Sequence, residues 1–125
     1  MTKEEKELLF KDLCARLPYD VEVRITFPDG SGCEEVFDAR DLCDIEDSIY
    51  DETDKQYPLY LPYLRSISTM TEDERQSYYK LHDNMNFENL YSCDKFDWFM
   101  QHHFDIRGLI KKGLALEAPE GMYNN

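Results

Sequence analysis

The sequence predicts an α+β fold: a small antiparallel sheet, with its hairpin at about 21–39, packed against N-terminal and C-terminal helices. Three observations predict it. Apolar residues at helical spacing open the chain, a perfectly alternating segment with a Pro–Gly turn follows, and helix-starting signals recur in the second half.

Thr2 and Glu5 form a Thr-x-x-Glu capping box, which satisfies two amides at a helix start. Leu8, Leu9, Leu13, Cys14 and Leu17 then define one apolar face, and Pro18 ends the helix. Residues 21–27 alternate apolar and polar, the pattern of a half-buried strand. Pro28, Asp29 and Gly30 supply a turn, because proline presets φ and glycine accepts positive φ. Residues 34–39 return as the second strand of the hairpin.

Residues 38–54 are read as a short helix, with strand and loop as the alternative. As a helix, Leu42, Ile45 and Ile49 share one face, and Asp41, Asp44, Asp47 and Asp51 lie roughly opposite. Pro58 and Pro62 mark 57–64 as an apolar loop or edge segment. Thr71 and Glu74 form a second capping box, with Thr69 and Glu72 as a competitor, for a helix running to about Leu81. Residues 83–92 read as loop. Asp94 caps a helix through His103 that buries Phe96, Phe99 and Trp98. Asp105 caps a last helix over 106–112, which Gly113 terminates. The 125 residues make one domain, 1–117, with 118–125 as a C-terminal tail.

The net charge is −13, and most of it is local. Between Val21 and Asp54 there are twelve acids against two bases, whereas 1–20, 55–92 and 93–125 each hold five acids and four bases. A field of one sign attracts basic partners and repels nucleic acid and anionic membranes. No apolar run approaches the length of a membrane span, and the charged N-terminus leads into no signal-like stretch, so a cytoplasmic protein is expected. Cys14, Cys33, Cys43 and Cys93 have neither zinc-knuckle nor CxxC spacing and read as free, buried thiols.

His102, His103 and Asp105 form the most enzyme-like cluster, with Cys93 or His82 to complete a metal site. Adjacent helical residues point about 100° apart, so one ion rarely takes both imidazoles. The plainer reading makes Asp105 a helix cap and places the histidines at a helix C-terminus. A cysteine–histidine nucleophile pair has nothing in the sequence to assemble it. The acidic stretch lacks the ligand order of an EF-hand, and no glycine-rich phosphate loop occurs. No metal or cofactor is assigned, and a non-enzymatic role is expected.

Three blocks carry a resemblance: 13–19, then 62–65 running into 70–74, then Asp97 and Trp98 with 102–105 and 107–123. They cover about half of the chain, which resembles a family of short uncharacterised proteins of gut anaerobic bacteria and their phages and mobile elements. The resemblance implies a bacterial or phage cytoplasmic protein and carries no activity. Residues 20–61, the acidic stretch, depart from the family's pattern.

The charge leads to the functional expectation. Carboxylates of Glu34, Glu35, Asp38, Asp41, Asp44, Asp47, Asp51 and Asp54, with Tyr50, Tyr57 and Tyr60, would bind a basic protein, and the sharper form of this expectation is imitation of a phosphate backbone in the channel of a nuclease or regulator. A merely solvated acidic face is the bland alternative. A homodimer covering the tyrosine-rich loop is another partner, and a small enzyme or metal-binding protein using the histidine region is the alternative from a different class.

Overall fold

The computed structural model describes residues 1–53, 55–83 and 92–123, with the backbone alone at 81–83 and 92–94. Helix α1, Lys3–Arg16, starts at the expected capping box: the Glu5 amide donates to Thr2 Oγ1, and the Thr2 amide donates to Glu5. Strands β1, Glu22–Thr26, and β2, Gly32–Val36, form the expected hairpin. Helix α2, Ala39–Tyr50, resolves the ambiguous stretch as helix. Strand β3, Leu59–Leu64, precedes α3, Glu72–Asp83, and α4, Ser92–Gln101. Strand β4, Leu116–Glu117, completes a four-stranded sheet in the order β2-β1-β3-β4. The pairing is antiparallel from β2 to β3 and parallel between β3 and β4. Among the described residues, no helix is long and apolar enough to cross a membrane.

The segment carrying Pro58 and Pro62 is an interior strand, not a loop or an edge. Ladder parity explains this. The Phe37 amide donates to the Val21 carbonyl and the Phe27 amide to the Ser31 carbonyl. The odd-numbered residues of β1 therefore bond toward β2, and the even-numbered ones toward β3. Val23 faces Pro62 across β1 and β3. Pro62 thus turns its donorless nitrogen away from β1. On that far side the two-residue β4 pairs only with Tyr63 and Leu64, so no ladder bond is lost.

Three boundaries differ from the sequence reading. The second hairpin strand starts at Gly32 rather than Glu34, and a side chain at Gly32 would meet the Ile25 carbonyl at 3.0 Å. Helix α4 ends at Gln101, because His103 adopts a left-handed φ of 64°. Residues 106–112 form turns instead of a helix, since Gly108 takes a φ of +72°. Asp105 still caps these turns by accepting the Leu109 and Ile110 amides. The expected Asp94 cap is corrected as well, because α4 starts at Ser92 and Asp94 lies within its first turn, while the 84–91 part of the expected loop lies outside the described residues.

The core joins Leu9 and Leu13 of α1 to Val21, Val23 and Ile25, with Phe37, Ile45, Ile49, Tyr60 and Leu64 around them. Each such side chain contributes about 1.5–3 kcal/mol on burial. The buried stripe of α1 is Leu9, Asp12, Leu13 and Arg16. Cys14, one position further round, is exposed rather than buried, as are Cys33 and Cys43.

Asp12 and Arg16 are fully buried. Arg16 Nε donates to Asp12 at 2.6 Å, and Arg16 Nη2 donates to the Phe104 carbonyl at 2.7 Å. Arg107 Nε reaches the same carboxylate at 3.1 Å. Residues 118–123, expected as tail, return to the sheet. The Ala118 amide donates to the Leu64 carbonyl. The Tyr123 hydroxyl accepts the Glu22 amide and donates to the Tyr63 carbonyl, bridging β1 and β3 where their pairing ends.

Asp12→Ala leaves Arg16 charged and uncompensated inside the protein. It is expected to lower stability by about 3–5 kcal/mol in urea unfolding followed by circular dichroism. Arg40→Ala removes an exposed pair with Asp38 and should stay within roughly 0.5 kcal/mol of the parent.

Candidate functional site

Three of the acids of 34–51 are held by tyrosines. Tyr63 donates its hydroxyl to Glu34 at 2.7 Å, Tyr60 donates to Asp44 at 3.0 Å, and Tyr57 donates to Asp51. These tyrosines fall at three-residue intervals through the segment that leads into and forms β3. Strand alternation sends Tyr60 to the helix-covered face and Tyr63 to the opposite one. Their carboxylate partners accordingly come from α2, from its C-terminal end and from β2.

These bonds set the charge state. The Tyr57 hydroxyl, with help from the Thr53 side chain and amide, pulls the Asp51 carboxyl down to about 2. The same bond pushes Tyr57 up to about 12, with Asp47 and Asp44 adding repulsion. Burial, and then the bond to Asp44, raise Tyr60, and the bond to Glu34 raises Tyr63. Around neutral pH the tyrosines are therefore neutral donors, and Asp51 is firmly ionised.

The expected partner residues divide by position. Glu34, Glu35, Asp44 and Asp47 are exposed, and Tyr50 is 67% exposed beside the Lys3 ammonium. Asp51 and Tyr57 are half-buried. Asp38 is the N-cap of α2, accepting the Arg40 and Asp41 amides. Asp41 is buried instead of facing solvent, and it returns the capping box by accepting the Asp38 amide. Burial raises its carboxyl. Tyr60 is also buried and packs edge-on against Phe37. Asp41 and Tyr60 thus stand behind the surface rather than on it. Asp54 lies outside the described residues.

Among the described side chains His102, His103 and Asp105 are not brought together, and those of Cys93 and His82 lie outside the described residues. Both Asp105 oxygens accept backbone amides. His102 packs against Trp98 with its ring tilted by 38° and lies 3.6 Å from Glu74, whose carboxylate Arg65 holds through two bonds of 2.6 Å. Those bonds bring Glu74 down to about 2. His103 stacks on Tyr123 at 3.7 Å with its Nδ1 buried. Among the described residues, no three His, Cys, Asp or Glu side chains are grouped so as to hold a metal ion. A cleft of about 760 Å³ lies between the start of α3 and residues 117–123, on the Arg65 and Glu74 side, away from the α2 acids.

No family model, curated protein or solved structure matches the chain. The tyrosine–carboxylate pairs were missed by the sequence reading because the partners of Tyr60 and Tyr63 lie 16 and 29 residues away. The one available signal was the match between tyrosines at intervals of three and an excess of acids.

Burial, and then the nearby Arg16 charge, lower His103 from 6.5 to about 4. The unfolded chain therefore binds its proton first as pH falls. The contribution of His103 to stability is full above pH 6.5 and is lost toward pH 4, by an amount of the order of 3 kcal/mol. His102 shifts in the same direction. His103→Asn, which tolerates the left-handed backbone, should make the thermal midpoint less dependent on pH between 6.5 and 5.

Proposed function

We propose that the protein is a non-enzymatic interaction module that binds a basic protein surface through α2 and the adjoining β2. The observation that carries this reading is the set of tyrosine hydroxyls holding Glu34, Asp44 and Asp51. Anchored carboxylates lose little side-chain freedom on binding, so a partner meets a preorganised field rather than a loose acidic tail. Asp44 and Asp47 stand one helical step apart, about 4.5 Å along the axis at ~1.5 Å per residue. That is comparable with the roughly 3.4 Å of axis per phosphate on one DNA strand. The finer part of the proposal is therefore imitation of a nucleic-acid backbone, with a basic nuclease or regulator as the target. A cytoplasmic setting, which keeps the exposed Cys14, Cys33 and Cys43 reduced, belongs to the same proposal.

The test is a tagged pull-down from cell lysate, washed at about 0.1 M and 1 M salt, across which the screening length falls from about 10 to 3 Å. A basic protein retained at low salt and released at high salt is the expected result. Asp44→Asn, Asp47→Asn and Asp51→Asn together should weaken that capture at least tenfold, while Asp38 and Asp41 stay to cap α2. Undiminished capture by the triple variant would overturn the reading.

A further inference from the structure

Strand β2 ends the sheet, and all five of its residues are exposed. Its odd-numbered neighbours bond to β1, as the Phe37–Val21 and Phe27–Ser31 contacts show. Gly32, Glu34 and Val36 therefore direct their N–H and carbonyl groups outward, and among the described residues no strand pairs with them. Natural edges are usually blunted by lysine, proline or a bulge. Residues 32–36 contain no lysine or proline, and β2 pairs with β1 in unbroken register.

Acids guard this edge instead. Glu34 projects on one face and Glu35 on the other, and Asp38 follows at the entry to α2. A second copy pairing antiparallel about Glu34 would set Glu34 against Glu34, and like charges directly opposite destabilise a sheet. Basic side chains at two successive positions of an incoming strand would meet Glu34 on one face and Glu35 on the other. Val36, 46% exposed on the Glu34 face, offers apolar contact beside them.

We infer that the outer edge of β2 accepts an extended basic segment of the partner protein as a fifth strand. Main-chain bonds to Gly32, Glu34 and Val36 supply the affinity, and Glu34 and Glu35 select the charge. This inference rests on the acidic-surface reading and names the form of the partner.

The probe is a capped seven-residue peptide with arginine and lysine at its centre and valine and threonine on either side. Its control carries the same charges with every central amide N-methylated. Fluorescence anisotropy should give at least tenfold weaker binding for the N-methylated form. Amide exchange read by NMR should slow at Glu34 and Val36 when the unmodified peptide is added, with little change at Cys33 and Glu35, which already bond to β1. Glu34→Lys with Glu35→Lys should lose the peptide in the folded protein. Equal, salt-sensitive binding of both peptides overturns strand addition and leaves the acidic-surface reading standing. Absence of binding by either peptide overturns strand addition, and the lysate capture then decides the acidic surface separately. Protection of Glu34 and Val36 that rises with protein concentration alone overturns it in favour of a second copy.

Discussion

A carboxylate and a guanidinium taken fully out of water cost several kcal/mol each unless their attraction and hydrogen bonds offset that loss. Asp12 and Arg16 meet this condition only because the rest of the fold is arranged around them. The four-residue interval on α1 brings the pair together, but it leaves Arg16 needing an acceptor and Asp12 needing a second donor. The Phe104 carbonyl and the Arg107 guanidinium fill those places, and only Arg16 Nη1 of the pair stays buried without a hydrogen bond to the described residues. Arg107 in turn lies over the Phe96 ring of α4. The turn that Asp105 caps is thereby fixed under α1, and it delivers Leu109 and Leu114 to the core and Leu116 to the sheet edge.

The acidic half of the molecule is organised differently. Most of its charges stay near water, and tyrosine hydroxyls hold three of them, with Arg24 3.9 Å from Glu34 and Arg40 3.4 Å from Asp38 as the nearby counter-ions. A tyrosine hydroxyl steadies a carboxylate without cancelling its charge, whereas a lysine in the same place would orient the group and neutralise the field. Tyr57, Tyr60 and Tyr63 thus let one segment organise acids from both faces of the sheet while preserving their electrostatic reach. That combination of fixed position and retained charge, clearest at Asp44 and Asp51, suits recognition of a basic surface.

Much of the fold was legible because its signals are local. The capping boxes at Thr2 and Thr71, the alternation of 21–27 and the period of Leu42, Ile45 and Ile49 each declare an element within a few residues. What was hidden depends on distant partners. Asp12 and Arg16 look like surface charges until residues 104–107 cover them, and Pro62 looks like a strand breaker until parity shows which way its nitrogen points. The 106–112 helix failed on one backbone angle, at Gly108, that neighbouring composition did not reveal. The acidic character of the candidate surface was plain in composition. The burial of Asp41 and Tyr60 was not, because capping and packing remove them from a face that periodicity alone leaves open.

The Tyr123 hydroxyl, set between the Glu22 amide and the Tyr63 carbonyl, has a kinetic consequence. Its bond to Glu22 spans 101 residues, and the Phe104 and Arg107 bonds to the α1 pair span 88 and 95. Bonds of such separation bear a loop-closure entropy before any neighbouring contact rewards them. The β1–β2 hairpin and the helices can form early from local contacts. The Tyr123 bridge at the end of the β1–β3 ladder and the burial of Arg16 need residues 104–123. These bonds, which close the molecule, therefore carry its largest loop-closure costs.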